Sequence, residues 1–62
     1  MTKDEIFSEM STMWTRQAII KCSNNDNKKP CEFLFDYLQD VYKINKPNAM
    51  IITDKLLKYF GL

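Results

Sequence analysis

The 62 residues are 45% hydrophobic and 13% aromatic, and nine basic against eight acidic side chains give a formal net charge of +1. Such a balance lacks the basic excess of an electrostatic nucleic-acid binder, and no run approaches the roughly 20 apolar residues of a membrane span. A chain this short buries only about 60% of the surface it exposes when unfolded, so one helical domain over 1–62 is expected to be marginally stable.

The N-terminal stretch MTKDEIFSEM is acidic and amphipathic, unlike a signal peptide. A cytoplasmic protein with reduced thiols is the expectation. Thr2 and Glu5 stand three apart, as in a capping box, and Met1 and Ile6 are spaced as a hydrophobic staple. At about 100° per residue, Ile6, Phe7, Met10, Met13, Trp14 and Ile20 share one face. Gln17 and Lys21 interrupt the end of that face, and Ile19 points away from it. The period predicts one helix over 3–22.

The run CSNNDNKKPC follows, with a cysteine at each end of a polar stretch. Ser, Asn and Asp favour turns because their side chains bond nearby backbone groups, so residues 23–29 are expected to form a loop. Cys22 then ends one helix and Cys31 begins the next. In an antiparallel pair a Cys22–Cys31 disulfide is geometrically feasible. The competing reading is two small, reduced core residues. Two Cys and no His fall short of a monomeric zinc site, and Asp26 starts no calcium loop. No metal or cofactor is expected.

Pro30 suits the first position of a helix, and Glu32 suits its first turn. Phe33, Leu34, Tyr37, Leu38, Val41 and Ile44 span an arc of about 200°, wider than one neighbour requires. Residues 30–44 are therefore predicted to be the central helix, with Cys31, Phe35 and Tyr42 on its flank. NKPN then breaks the chain, with Asn45 suited to a left-handed helix end and Pro47 biasing Lys46 away from helix. Ala49, Ile52, Leu56, Tyr59 and Phe60 share a face of a third helix over 48–60. Thr53-Asp54 could instead cap a shorter helix and leave 49–52 extended. Gly61 followed by Leu62 fits a Schellman end. The expected fold is all-α, a three-helix up-down-up bundle.

Catalysis has little support. There is no His, and Gly61 is the only glycine. Asp36 and Asp40 lie one turn apart on a polar arc, which favours a solvated face over a catalytic pair. Cys31 has a helix N-terminus beside it but no base partner. No enzyme and no small-molecule substrate are expected.

Two contact functions compete. A helix-turn-helix DNA regulator would use residues 48–60 as its recognition helix, with Asn48, Ile51 and Ile52 toward bases and Lys46, Lys55 and Lys58 near phosphates. The near-zero charge, the long first helix and the lack of Arg in 48–60 count against it. The favoured expectation is a protein–protein interaction module, a small regulatory or inhibitory adaptor that binds another protein or dimerises. Four Phe, three Tyr, one Trp and four Met exceed what so small a core absorbs, and the surplus should form a patch. Its expected residues are Met10, Met13, Trp14, Arg16 and Ile19, although a helical stripe of this kind ordinarily belongs to the core. Frequent Lys, Asn and Ile suit an AT-rich genome, such as a low-GC bacterium, its phage or a mobile element. A structural homo-oligomer, with concentration-dependent stability, is the third reading.

Overall fold

Helices begin where a side-chain oxygen or a proline deals with amides that have no partner inside the helix, and this chain supplies four such places. The computed structural model describes residues 2–62. Its helices are α1 (Lys3–Met10), α2 (Met13–Asp26), α3 (Pro30–Val41) and α4 (Lys46–Phe60). Among the described residues the fold is all-α as expected, but with four helices rather than three.

At the start of α1 the Thr2 hydroxyl accepts from the Glu5 amide, and the Glu5 carboxylate accepts from the Thr2 amide, both at 3.2 Å. The expected capping box is therefore present. The staple with Met1 lies outside the described residues. The hydrogen bonds from the Thr2 backbone and side chain hold the Glu5 carboxyl below its ordinary value. Because that pKa is depressed, the box contributes above the ordinary carboxylate range and is lost as pH falls through the Glu5 pKa. An NMR pH titration should show the Thr2 amide shift following Glu5, with a midpoint below that of an unperturbed glutamate.

The single helix predicted over 3–22 is broken at Ser11 and Thr12. Thr12 is extended (φ −123°, ψ 157°), and its hydroxyl accepts from the Thr15 amide as the N-cap of α2. The Ser11 hydroxyl donates to the Ser8 carbonyl. Hydroxyls that can bond nearby backbone groups offer the chain an alternative to continuing the helix. Thr12→Ala should lower stability by about 1 kcal/mol, as measured by urea unfolding.

The predicted loop 23–29 is mostly helix, because α2 continues to Asp26. Ser23 is buried, and its hydroxyl donates back to the Ile19 carbonyl. Asn27 takes the left-handed conformation (φ 58°). The Asn27 amide donates to Asn24 and the Lys28 amide to Ser23, which is a Schellman end with Asn in the usual glycine place. The connection shrinks to residues 27–29. Downstream, α3 stops at Val41 rather than residue 44, and Lys43, not Asn45, is left-handed. Asn45 instead starts α4, its side chain accepting from the Asn48 amide at 3.0 Å. Residues 48–52 are helical. Lys46 is helical too, despite preceding Pro47, because both occupy the first turn of α4. Gly61 (φ 74°) closes α4, with the Leu62 amide on the Leu57 carbonyl and the Gly61 amide on Lys58, the Schellman end that the sequence indicates.

The helices pack in the order α2, α3, α4, α1, so α3 has two neighbours as its wide apolar arc requires. The core draws on every helix: Ile6 and Met10 of α1, Ile19 of α2, Leu34 and Leu38 of α3, and Ala49, Ile52, Leu56 and Phe60 of α4. Phe7 meets the edge of Tyr59 at 5.7 Å between ring centroids, fixing α1 on α4. The accessible surface is 4338 Å², against about 10,700 Å² for an unfolded chain of this mass, so about 60% is buried. Burial is normal for the size, yet large apolar side chains remain outside.

Candidate functional site

The break at Ser11–Thr12 resets the phase of the helix that follows and so decides which side chains face out. Met10 closes α1 in the core (6% exposed) and Ile19 lies in the core from α2 (1%). Met13 and Trp14 swing outward, to 67% and 78% exposure. Ile19, expected to point away from the core, is among its most buried members. The one-face arrangement of Met10, Met13 and Trp14 does not form.

A trough of about 500 Å³ runs between α2 and α3. Trp14, Thr15, Ala18 and Cys22 of α2 form one wall, Phe33 and Tyr37 of α3 form the other, and Met10 and Ile19 lie at its base. Glu9, Thr12 and Tyr42 close one end. Trp14, Ala18 and Cys22 recur every four residues, as do Phe33 and Tyr37, so both walls are helical ridges. Of the five residues expected at the partner site, Met10, Trp14 and Ile19 therefore line the trough. Met13 and Arg16 do not. Arg16 turns toward the end of α4, where its Nε donates to the Phe60 carbonyl at 3.1 Å. That bond satisfies a carbonyl left over at a helix C-terminus.

The aromatic wall belongs to α3 and its C-terminal turn. Phe33 and Tyr37 stack at 6.0 Å, and Tyr37 meets Tyr42 at 6.3 Å with their planes 65° apart. The Tyr42 hydroxyl donates to Glu9 at 3.5 Å. Burial first, and then the Glu9 carboxylate, push the Tyr42 phenol above its ordinary value, so it remains a neutral donor at physiological pH. The sequence signalled this wall only through the excess width of the α3 arc. Tyr42, Glu9 and Ala18 carried no signal as site residues.

The surroundings are charged unequally. Phe33 and Tyr37 also border a shallow depression that holds Asp26, Lys28, Asp36 and Asp40. Lys28 pairs with Asp36 at 3.4 Å. On the far side of Trp14 and Ala18 lie Gln17 and Lys21. Asp36 and Asp40 are both exposed, as their polar arc implies.

The alternative DNA set lies elsewhere. Lys46, Ile51, Lys55 and Lys58 are exposed on α4, and Asn48 is half-buried in its first turn. Lys55 faces Asp4 at 3.8 Å in a pair open to solvent, of a kind that contributes little to stability. Cys22 and Cys31 are free thiols in separate places. Cys22 lines the trough, while Cys31 borders a smaller cleft between α3 and α4 with Phe35, Met50 and Thr53. Among the described residues no helix is long and apolar enough to cross a membrane. No family model, no curated protein and no solved structure matches the chain.

Proposed function

We propose that the chain works by contact, as a small regulatory or inhibitory adaptor whose α2–α3 trough receives part of another protein. One observation carries this reading: Trp14, 78% exposed, stands at the lip of an apolar trough lined by Ala18, Ile19, Phe33 and Tyr37. Trp and Tyr beside a concave apolar surface are the usual anchors of protein interfaces, and an amphipathic segment laid in a groove is a common mode of recognition.

The test is a pull-down from nuclease-treated lysate of cells that express the chain, with wild type and Trp14→Ala as bait. A stoichiometric partner lost with Trp14→Ala supports the reading. Unchanged capture and unchanged oligomeric state, with the helical circular dichroism retained, would refute it. The exposed Lys46, Ile51, Lys55 and Lys58 of α4 favour DNA binding as the second reading. It expects an affinity that falls steeply with salt and is lost when Lys55 and Lys58 are neutralised.

A further inference from the structure

The identity of the trough's occupant follows from its shape and its charged border. From Trp14 to Cys22 the α2 wall is about 12 Å long at the rise of a helix. The walls repeat at helical spacing on both sides. A trough of that form matches the i, i+3/i+4, i+7 face of one further helix.

Charge then selects which helix. Outside the α3 wall lie Asp26, Asp36 and Asp40, and because Lys28 and Asp36 pair with each other, Asp26 and Asp40 carry the remaining negative charge of this border. At one end stands Glu9, beside the corner made by the Tyr37 and Tyr42 rings, 6.3 Å apart and inclined at 65°. A cation within about 6 Å of such ring faces is attracted by their quadrupoles, and the Glu9 carboxylate adds a charge-assisted acceptor. Beyond the α2 wall lie Gln17 and Lys21.

We propose that the trough seats a cationic amphipathic helix, apolar face down, with a Lys or Arg entering the Glu9–Tyr37–Tyr42 corner and basic residues along the Asp40 edge. This inference rests on the reading of the trough as a docking surface and adds the chemistry of what docks.

Trp14 is the only tryptophan, so its fluorescence reports occupancy directly. The full chain is titrated with a synthetic Leu/Lys amphipathic helix and with a Leu/Glu helix of equal length and apolar pattern. The Leu/Lys helix should shift Trp14 emission to the blue, saturably, and bind about tenfold or more tighter than Leu/Glu, with the preference shrinking as salt is added. In Glu9→Gln/Asp40→Asn, which alters only exposed carboxylates, the two helices should come within about threefold of each other. Ala18→Arg, which obstructs the trough, should lose both. Equal or tighter binding of Leu/Glu would overturn the cationic occupant while leaving the docking surface standing. Binding that survives Ala18→Arg, or no binding of either helix, would overturn the docking surface itself. Concentration-dependent dimerisation in sedimentation, abolished by Ala18→Arg, would overturn the proposal in favour of a second copy as occupant.

Discussion

Ile19→Ala is expected to cost about 2–5 kcal/mol, the range for truncating a buried Ile or Leu without full collapse of the site. The side chain is 1% exposed, in the single core that joins all four helices. A 62-residue domain has about 3–9 kcal/mol of total stability, so the substitution removes a large share of it. The contrasting variant is Trp14→Ala, at a side chain 78% exposed, which should stay within about 0.5 kcal/mol of wild type. Urea unfolding followed by far-UV circular dichroism separates the two cases. The comparison also tests the break at Thr12. On one unbroken helix over 3–22, Trp14 would lie in the apolar stripe and Ile19 outside it, so the costs would be reversed. A cost below about 0.5 kcal/mol for Ile19→Ala would therefore count against the four-helix arrangement.

The part of the fold legible in the sequence is the part governed by local chemistry with a single answer. Thr2 with Glu5, Pro30 at the first position of α3, and Gly61 before Leu62 each have one favourable geometry, and each takes it. The wide arc of α3 foretold two neighbours, because an arc that broad cannot be covered by one helix. The break at Ser11–Thr12 was hidden for a physical reason. Ile6, Phe7 and Met10 keep a helical period that Met13 and Trp14 continue in sequence, so the apolar pattern runs through the break. Thr12 has Thr15 rather than Glu or Gln three residues on, so the reciprocal half of a capping box is missing. Missing that one break shifts the phase of α2: Ile19 is placed off the apolar stripe although it lies in the core, and Trp14 is placed on one face with the buried Met10 although it stands exposed.

The candidate site was legible in its anchor but not in its wall. Trp14 stood out by size and by the aromatic excess of the chain. The trough needs Phe33 and Tyr37 of α3 and Tyr42 beyond it, and no local pattern places those opposite Ala18 and Cys22. That juxtaposition is tertiary, set by α2 packing on α3 after the reset at Thr12. Arg16 lies outside the trough for a similar reason. Two residues after Trp14 it lies well round the helix, where the free carbonyl of Phe60 engages it.

Thr53→Val is expected to raise stability by about 1 kcal/mol or more, the opposite sign to most substitutions in a core. Thr53 is 4% exposed in α4, and its hydroxyl oxygen is buried with no hydrogen-bond partner among the described residues. A buried, unsatisfied polar atom forfeits about 1–3 kcal/mol of desolvation. Valine keeps the branched shape and the stiff χ1 of threonine and removes the oxygen. Ser23 is the control, because its buried hydroxyl donates to the Ile19 carbonyl; Ser23→Ala should bring no comparable gain. The midpoint of urea unfolding at constant slope decides the matter, and a loss of stability in Thr53→Val would mean that the hydroxyl has a partner in solution. Position adds a second consequence. Thr53 borders the cleft between α3 and α4, away from the α2–α3 trough. A more stable Thr53→Val chain should therefore bind the Leu/Lys helix with unchanged affinity, whereas Ala18→Arg should lose that affinity while remaining folded. If both variants moved stability and binding together, the trough would be part of a core that loosens as a whole. If they separate, the groove is a surface carried by a core that can be strengthened without touching it.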